Sequence, residues 1–93
     1  MTIDQIRSAI LTLVEEYSIS KVVLFGSRAT GTNVEDSDID LIIEFFVPVT
    51  ILTLSGLKNR IEELTNLDVD VIHGPIRDDD MIDIEKTVEL YAA

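Results

Sequence analysis

Asp38-Ile39-Asp40-Leu41-Ile42-Ile43-Glu44-Phe45 is the stretch on which the fold turns. Its odd-numbered residues, Ile39, Leu41, Ile43 and Phe45, are all apolar, and apolar residues with period two mark a strand that buries one face. The even-numbered residues are Asp38, Asp40, Ile42 and Glu44, so carboxylates occupy one end of the other face. Side chains two apart point to the same side of a strand, which sets Asp38 and Asp40 roughly 7 Å apart. Two anions that close repel each other unless a cation lies between them. The pair therefore reads as a divalent-metal site.

Upstream, Lys21-Val22-Val23-Leu24-Phe25 is β-branched and apolar, a short buried strand that Gly26 ends. Thr2-Ile3-Asp4-Gln5 is a capping box, and Ile6, Ile10, Leu13, Val14 and Tyr17 follow at helical spacing. A first helix is expected from Ile3 to Tyr17. Residues 27–36 are polar, with turn signals at Gly31 and Asn33 and room for one helical turn over Ser27 to Thr30.

Downstream, Pro48 breaks the strand pattern. Leu54, Leu57, Ile61 and Leu64 predict a second helix from Ile51 to Asn66, in which Gly56 costs about 1 kcal/mol against alanine. Val69 and Val71 alternate with Asp68, Asp70 and Ile72, which predicts a third strand from Leu67 to His73, ended by Gly74-Pro75. A last helix is expected from Met81 to Tyr91, with Asp78, Asp79 and Asp80 at its positive end. The order is helix, strand, strand, helix, strand, helix. It predicts an α/β (α+β) fold, a small mixed β-sheet with packed helices, as a single domain over residues 1–93.

Composition narrows the possible roles. The 93 residues are 46% apolar but only 5% aromatic, enough for one core built from Ile, Leu and Val. Eighteen acidic against 7 basic residues give a net charge of −11. Such a chain is repelled by nucleic acid and by anionic membrane, and it suits a basic protein partner. A bound metal reverses the local sign, so anionic ligands stay possible. There are no cysteines, hence no disulfides and no thiolate metal site. The longest apolar run, Phe45 to Leu54, is broken by Pro48 and too short to span a bilayer. With no signal segment in the first ten residues, a cytoplasmic location is expected.

A third carboxylate, Asp70, lies between Val69 and Val71 on the third strand. A charge within such a strand is costly unless it is paired or binds metal. If the second and third strands are close, Asp70 reaches the Asp38/Asp40 pair. Three carboxylate ligands suit Mg²⁺, and two such ions about 4 Å apart clamp the attacking and leaving oxygens of a phosphoryl or nucleotidyl transfer. In that scheme Asp38 and Asp40 hold both metals, and Asp70 holds the one nearest the nucleophile and accepts its proton. Gly26 lets the backbone approach a ligand, and Ser27 offers a hydroxyl and an N–H where donors face anions.

Gly26-Ser27-Arg28-Ala29, Ser37-Asp38-Ile39-Asp40-Leu41 and Val69-Asp70-Val71 together resemble the polymerase-β-type nucleotidyltransferases, and the short length resembles their minimal (MNT) members. The resemblance runs from Ile3 to about Tyr91. It implies a palm-like fold that uses ATP as substrate and two Mg²⁺ ions. It also implies an antitoxin that binds an HEPN-domain ribonuclease toxin and transfers AMP to its tyrosine. Carried over by position, Gly26 and Ser27 grip the triphosphate, Arg28 either neutralises phosphate or pairs with a carboxylate, and Asp38, Asp40 and Asp70 bind metal. The chain departs from the family where Thr30 replaces a second Arg, and where Phe46-Val47-Pro48-Val49 is apolar in place of a polar loop.

Each residue also has a plainer reading. Asp38 and Asp40 can be a solvated strand end, and Asp70 an edge-strand charge. Ser37 shapes the turn, Asp68 is solvated, and Glu44 lies roughly 13 Å beyond Asp40. His73 reads as a surface residue, and Tyr17 and Tyr91 as packing residues. Phe45, Phe46, Val47 and Val49 are either core or an exposed partner surface. Three functions follow: an adenylylating antitoxin, an antitoxin acting by occlusion with little or no catalysis, and a small-molecule nucleotidyltransferase. The missing acceptor domain counts against the third.

Overall fold

The computed structural model describes residues 2–26, 38–74 and 87–93. Helix α1 (Ile3–Leu11) opens with the expected capping box: the Gln5 N–H donates to Thr2 Oγ1 at 3.1 Å, and the Thr2 N–H donates to Gln5 Oε1 at 2.8 Å. The apolar spacing predicts helix as far as Tyr17, but the regular α-helix stops at Leu11. The chain must turn into strand β1 (Ile19–Phe25), and it does so through a left-handed Ser18 (φ 54°) and an Ile19 N–H that donates to the Val14 carbonyl at 3.0 Å. Leu13 and Val14 still reach the core, so the periodic face survives although the helical ladder does not.

Strand β2 (Ile39–Phe45) pairs antiparallel with β1, in a register that sets Leu24 opposite Leu41 and Phe25 opposite Asp40. Helix α2 (Ile51–Thr65) begins at Thr50, whose hydroxyl accepts from the Thr53 N–H, and ends at Asn66 in the left-handed conformation that Asn tolerates at this position. It returns the chain to strand β3 (Val69–His73), which lies parallel to β2, as a helical crossover allows.

The expected last helix is corrected at its end. Residues 88–92 form strand β4 (Val88–Ala92), antiparallel to β1; residues 81–86 of that expectation, like the helical turn expected over 27–30, lie outside the described residues. Val88-Glu89-Leu90-Tyr91 is too short for periodicity to separate strand from helix. Tertiary context decides it: the free edge of β1 takes up the ladder, Leu90 enters the core, and Arg7 Nε donates to the Leu90 carbonyl at 3.2 Å.

The mixed sheet has the order β3-β2-β1-β4, with β2 inside it. Ile39, Leu41 and Ile43 from β2, Val22 and Leu24 from β1, Val69 from β3, Ile6 and Ile10 from α1, and Leu57 and Ile61 from α2 form one core. Phe45 packs half-buried against it, whereas Phe46 and Val47 are exposed. Among the described residues no helix is long and apolar enough to cross a membrane.

Leu41→Ala, at a fully buried position, is expected to destabilise the protein by about 2–5 kcal/mol. Leu52→Ala, at a position 80% exposed, should change stability by no more than about 0.5 kcal/mol. Urea unfolding of the two variants checks this; equal losses would mean that the core does not lie where the alternation of β2 puts it.

Candidate active site

The alternation that buries Ile39 and Leu41 turns Asp40 to the opposite face of the sheet, and the same holds for Val69 and Asp70. Parallel pairing aligns β2 with β3 so that Ile39 faces Val69 and Asp40 faces Asp70. Partners in register share a face, so the two carboxylates lie abreast on neighbouring strands. Asp38 stands just before β2, two residues from Asp40, and is exposed.

Two backbone contacts fix this register at the carboxylate end. The Ile39 N–H donates to the Asp68 carbonyl at 2.9 Å, and the Val69 N–H donates to Glu62 Oε2 at 3.1 Å. Asp68 thus contributes its backbone while its side chain stays exposed. Glu62 is a support that the sequence does not single out: on α2 it reads as one more acidic surface residue, and no local motif marks its reach to β3.

Electrostatics singles out Asp40. Burial, then the charges of Asp70 and Asp38, then a hydrogen bond with Asp70, raise its carboxyl above the ordinary 3.8. Neighbouring strands lie about 4.8 Å apart. Two unit charges at that separation repel by about 1 kcal/mol in water, and by about 3 kcal/mol at an effective dielectric constant of 20. The arrangement favours a shared positive species, a proton or a cation.

The donor set is hard oxygen, which suits Mg²⁺ or Ca²⁺ and not a thiophilic metal. Among the described residues no three of His, Cys, Asp and Glu converge as a complete ligand set. The described arrangement is a pair, Asp40 and Asp70, with Asp38 adding charge beside it. Mg²⁺ needs no more from a protein, because it is held by one or two carboxylates together with water and substrate phosphates.

Of the residues expected to meet nucleotide, Gly26 closes β1 with φ +78°, a conformation that glycine adopts without strain. Ser27 and Arg28 lie outside the described residues. His73 is exposed and stacks at a tilt on Phe45, with ring centroids 5.6 Å apart, at the far end of the strands from Asp40. Tyr17 and Tyr91 pack half-buried against the core. A depression of about 360 Å³ lined by Glu62, Asn66, Leu67 and Asp68 marks the α2–β3 turn and includes none of the three aspartates of the site.

The raised Asp40 carboxyl predicts a definite dependence of stability on pH. Between pH 3.8 and its folded-state value the folded chain holds more proton than the unfolded one, so stability falls as pH rises through that window. Asp40→Asn removes this loss. In EDTA at neutral pH the variant should unfold at higher urea than the wild type, and the difference should shrink as pH is lowered, disappearing below about pH 3.8. A variant less stable than the wild type at pH 7 would show that Asp40 is not held against its neighbours' charge.

Comparison with known proteins converges on one family. The profile described as "Nucleotidyltransferase domain" matches residues 3–89. A relative from Methanocaldococcus jannaschii, named "Putative protein adenylyltransferase MJ0126", is 37% identical over 60 residues, which cover 64% of this chain and 61% of the relative. The chain thus matches less than two thirds of that relative's length. Among solved structures, one described as "putative minimal nucleotidyltransferase" is 34% identical with a TM-score of 0.65, covering 78% of each chain. A toxin–antitoxin structure with AMP-PNP has a TM-score of 0.76 at 19% identity, covering 94% of this chain and 73% of the other. A structure of a tri-AMPylated Shewanella oneidensis HEPN toxin in complex with an MNT antitoxin has a TM-score of 0.68 at 14% identity, covering 99% and 74%. The last two speak for the fold alone. With the profile spanning nearly all of its length, the chain belongs to the nucleotidyltransferase domain family, among its minimal nucleotidyltransferases.

Proposed function

We propose that this chain is an antitoxin that transfers AMP from ATP to a tyrosine of a cognate HEPN-domain toxin in the cytoplasm, and so neutralises it. The observation that carries the reading is the register of β2 and β3, which sets the carboxylates of Asp40 and Asp70 abreast. A pair of adjacent carboxylates that repel each other is a poor structural device and a good seat for a hard cation. The names of the relatives and structural neighbours, protein adenylyltransferase and AMPylated toxin, support AMP as the transferred group and a protein as its acceptor.

In this reading Asp40 and Asp70, with Asp38 beside them, would hold two Mg²⁺ ions, which would neutralise triphosphate charge and stabilise the charge developing on the transferred phosphoryl group. Gly26, which ends β1, would meet the triphosphate together with Ser27 and Arg28, the two residues that follow it in the sequence. The tyrosine Oη of the toxin forms a bond to the α-phosphorus of ATP. The bond from that phosphorus to the oxygen bridging to the β-phosphate breaks, and pyrophosphate leaves with the electron pair. Asp70, the most exposed member of the Asp40–Asp70 pair, takes the phenolic proton.

Incubation with Mg²⁺, labelled ATP and the HEPN partner tests this. Label on a toxin tyrosine, with mass increments of AMP, is the expected result. Asp70→Asn should slow transfer by about 10²–10⁴-fold, the usual range for loss of a general base, and the Asp38→Asn/Asp40→Asn double variant should abolish it. Full neutralisation by the double variant without transfer of label would contradict catalysis and establish occlusion. Label appearing on a small molecule and not on the toxin would contradict the proposed acceptor.

A further inference from the structure

We infer that Gly26 is a positioning residue for Asp40: its missing side chain is the space that the Asp40 carboxylate occupies. A Cβ built on Gly26 would overlap Asp40 Oδ2, and it would stand 3.3 Å from Cγ and 3.5 Å from Cβ of the same residue. Every one of the nearest atoms therefore belongs to Asp40. The contact arises from the antiparallel register, which pairs Phe25 with Asp40 and carries the next residue, Gly26, past the Asp40 side chain.

The consequence is specific because the obstructing atom is the end of a short side chain. Backbone in the way would unfold the strand end; a carboxylate in the way can swing aside. Asp40 stands abreast of Asp70 on the neighbouring strand, so swinging aside separates the pair. A side chain at position 26 should leave the sheet formed and dismantle the cation seat. Gly26 would thus act on the carboxylates as well as on phosphate, and its loss would weaken metal binding even with no nucleotide present. The positive φ of +78° adds a separate cost for any L-residue, which Asn bears better than Ala. This part of the inference rests on the proposed metal-binding role of Asp40; the steric part does not.

Two measurements on the full chain test it. In the first, Mn²⁺ is titrated without nucleotide into the wild type, Gly26→Ala, Gly26→Asn and Asp38→Asn. Affinity should fall about tenfold or more in both Gly26 variants, within the range of couplings between residues in contact. In the Asp40→Ala background Gly26→Asn should cause no further loss. Wild-type affinity in the Gly26 variants, with a loss in Asp38→Asn, would overturn the positioning role and leave the metal reading standing. In the second, metal-free crystal structures of the Gly26 variants are solved. Displacement of the Asp40 carboxylate from Asp70 supports the inference even if the wild type binds no Mn²⁺, a result that would sink the metal reading alone. A carboxylate still beside Asp70 overturns it. Should both single variants fail to fold, recovery of folding in Gly26→Asn/Asp40→Ala supports the collision, and no recovery refutes it.

Discussion

The register between β2 and β3 is the constraint on which the molecule depends. Because side chains alternate along a strand, a slip by one residue would exchange Ile39, Leu41, Ile43 and Val69 with the polar face. The core therefore excludes any odd slip, and the alignment observed sets Asp40 beside Asp70. The packing that folds the sheet and the juxtaposition that defines the site are a single fact. The Asp68 carbonyl and the Glu62 carboxylate secure it where it matters, at the end of the strands that bears the aspartates.

The same constraint costs stability. A sheet that must hold like charges abreast gives up favourable energy locally, and proteins tolerate this chiefly at functional sites. Here the cost is visible as an Asp40 carboxyl that holds its proton more tightly than usual, through burial first and its two neighbours second. A cation of the right hardness would convert the repulsion into attraction. The apolar core on the other face offsets the cost, and rigid strands hold the carboxylates where a loop could not.

Much of this could be read from the residues. Alternation in Ile39-Asp40-Leu41-Ile42-Ile43 fixes both the strand and the face of Asp40, and Thr2 with Gln5 marks the start of α1. Val69-Asp70-Val71 reads as a strand for the same reason, but its side-by-side pairing with β2 is a tertiary fact that sequence states only conditionally. Strand β4 was not legible: Val88 to Tyr91 fits either period, and the choice is made by the open edge of β1. The early end of α1 was hidden as well, because Leu13 and Val14 keep helical spacing while the chain is already turning toward β1. Gly26 looked like a turn and a phosphate contact, and its relation to Asp40 appears only once β1 and β2 are placed side by side. Glu62 has no signal at all in the linear sequence.

The central claim is that the Asp40–Asp70 pair is a seat for a divalent cation. The most direct measurement is the thermal unfolding midpoint as a function of Mg²⁺, for the wild type and for Asp40→Asn side by side. A ligand bound only by the folded chain stabilises it by about 1.4 kcal/mol for each tenfold rise above its dissociation constant. The account predicts that the wild-type midpoint climbs with millimolar Mg²⁺ while that of Asp40→Asn stays nearly flat, so that two curves starting with the variant on top cross. A wild-type midpoint that ignores Mg²⁺, or one that rises in parallel with that of Asp40→Asn, would contradict it.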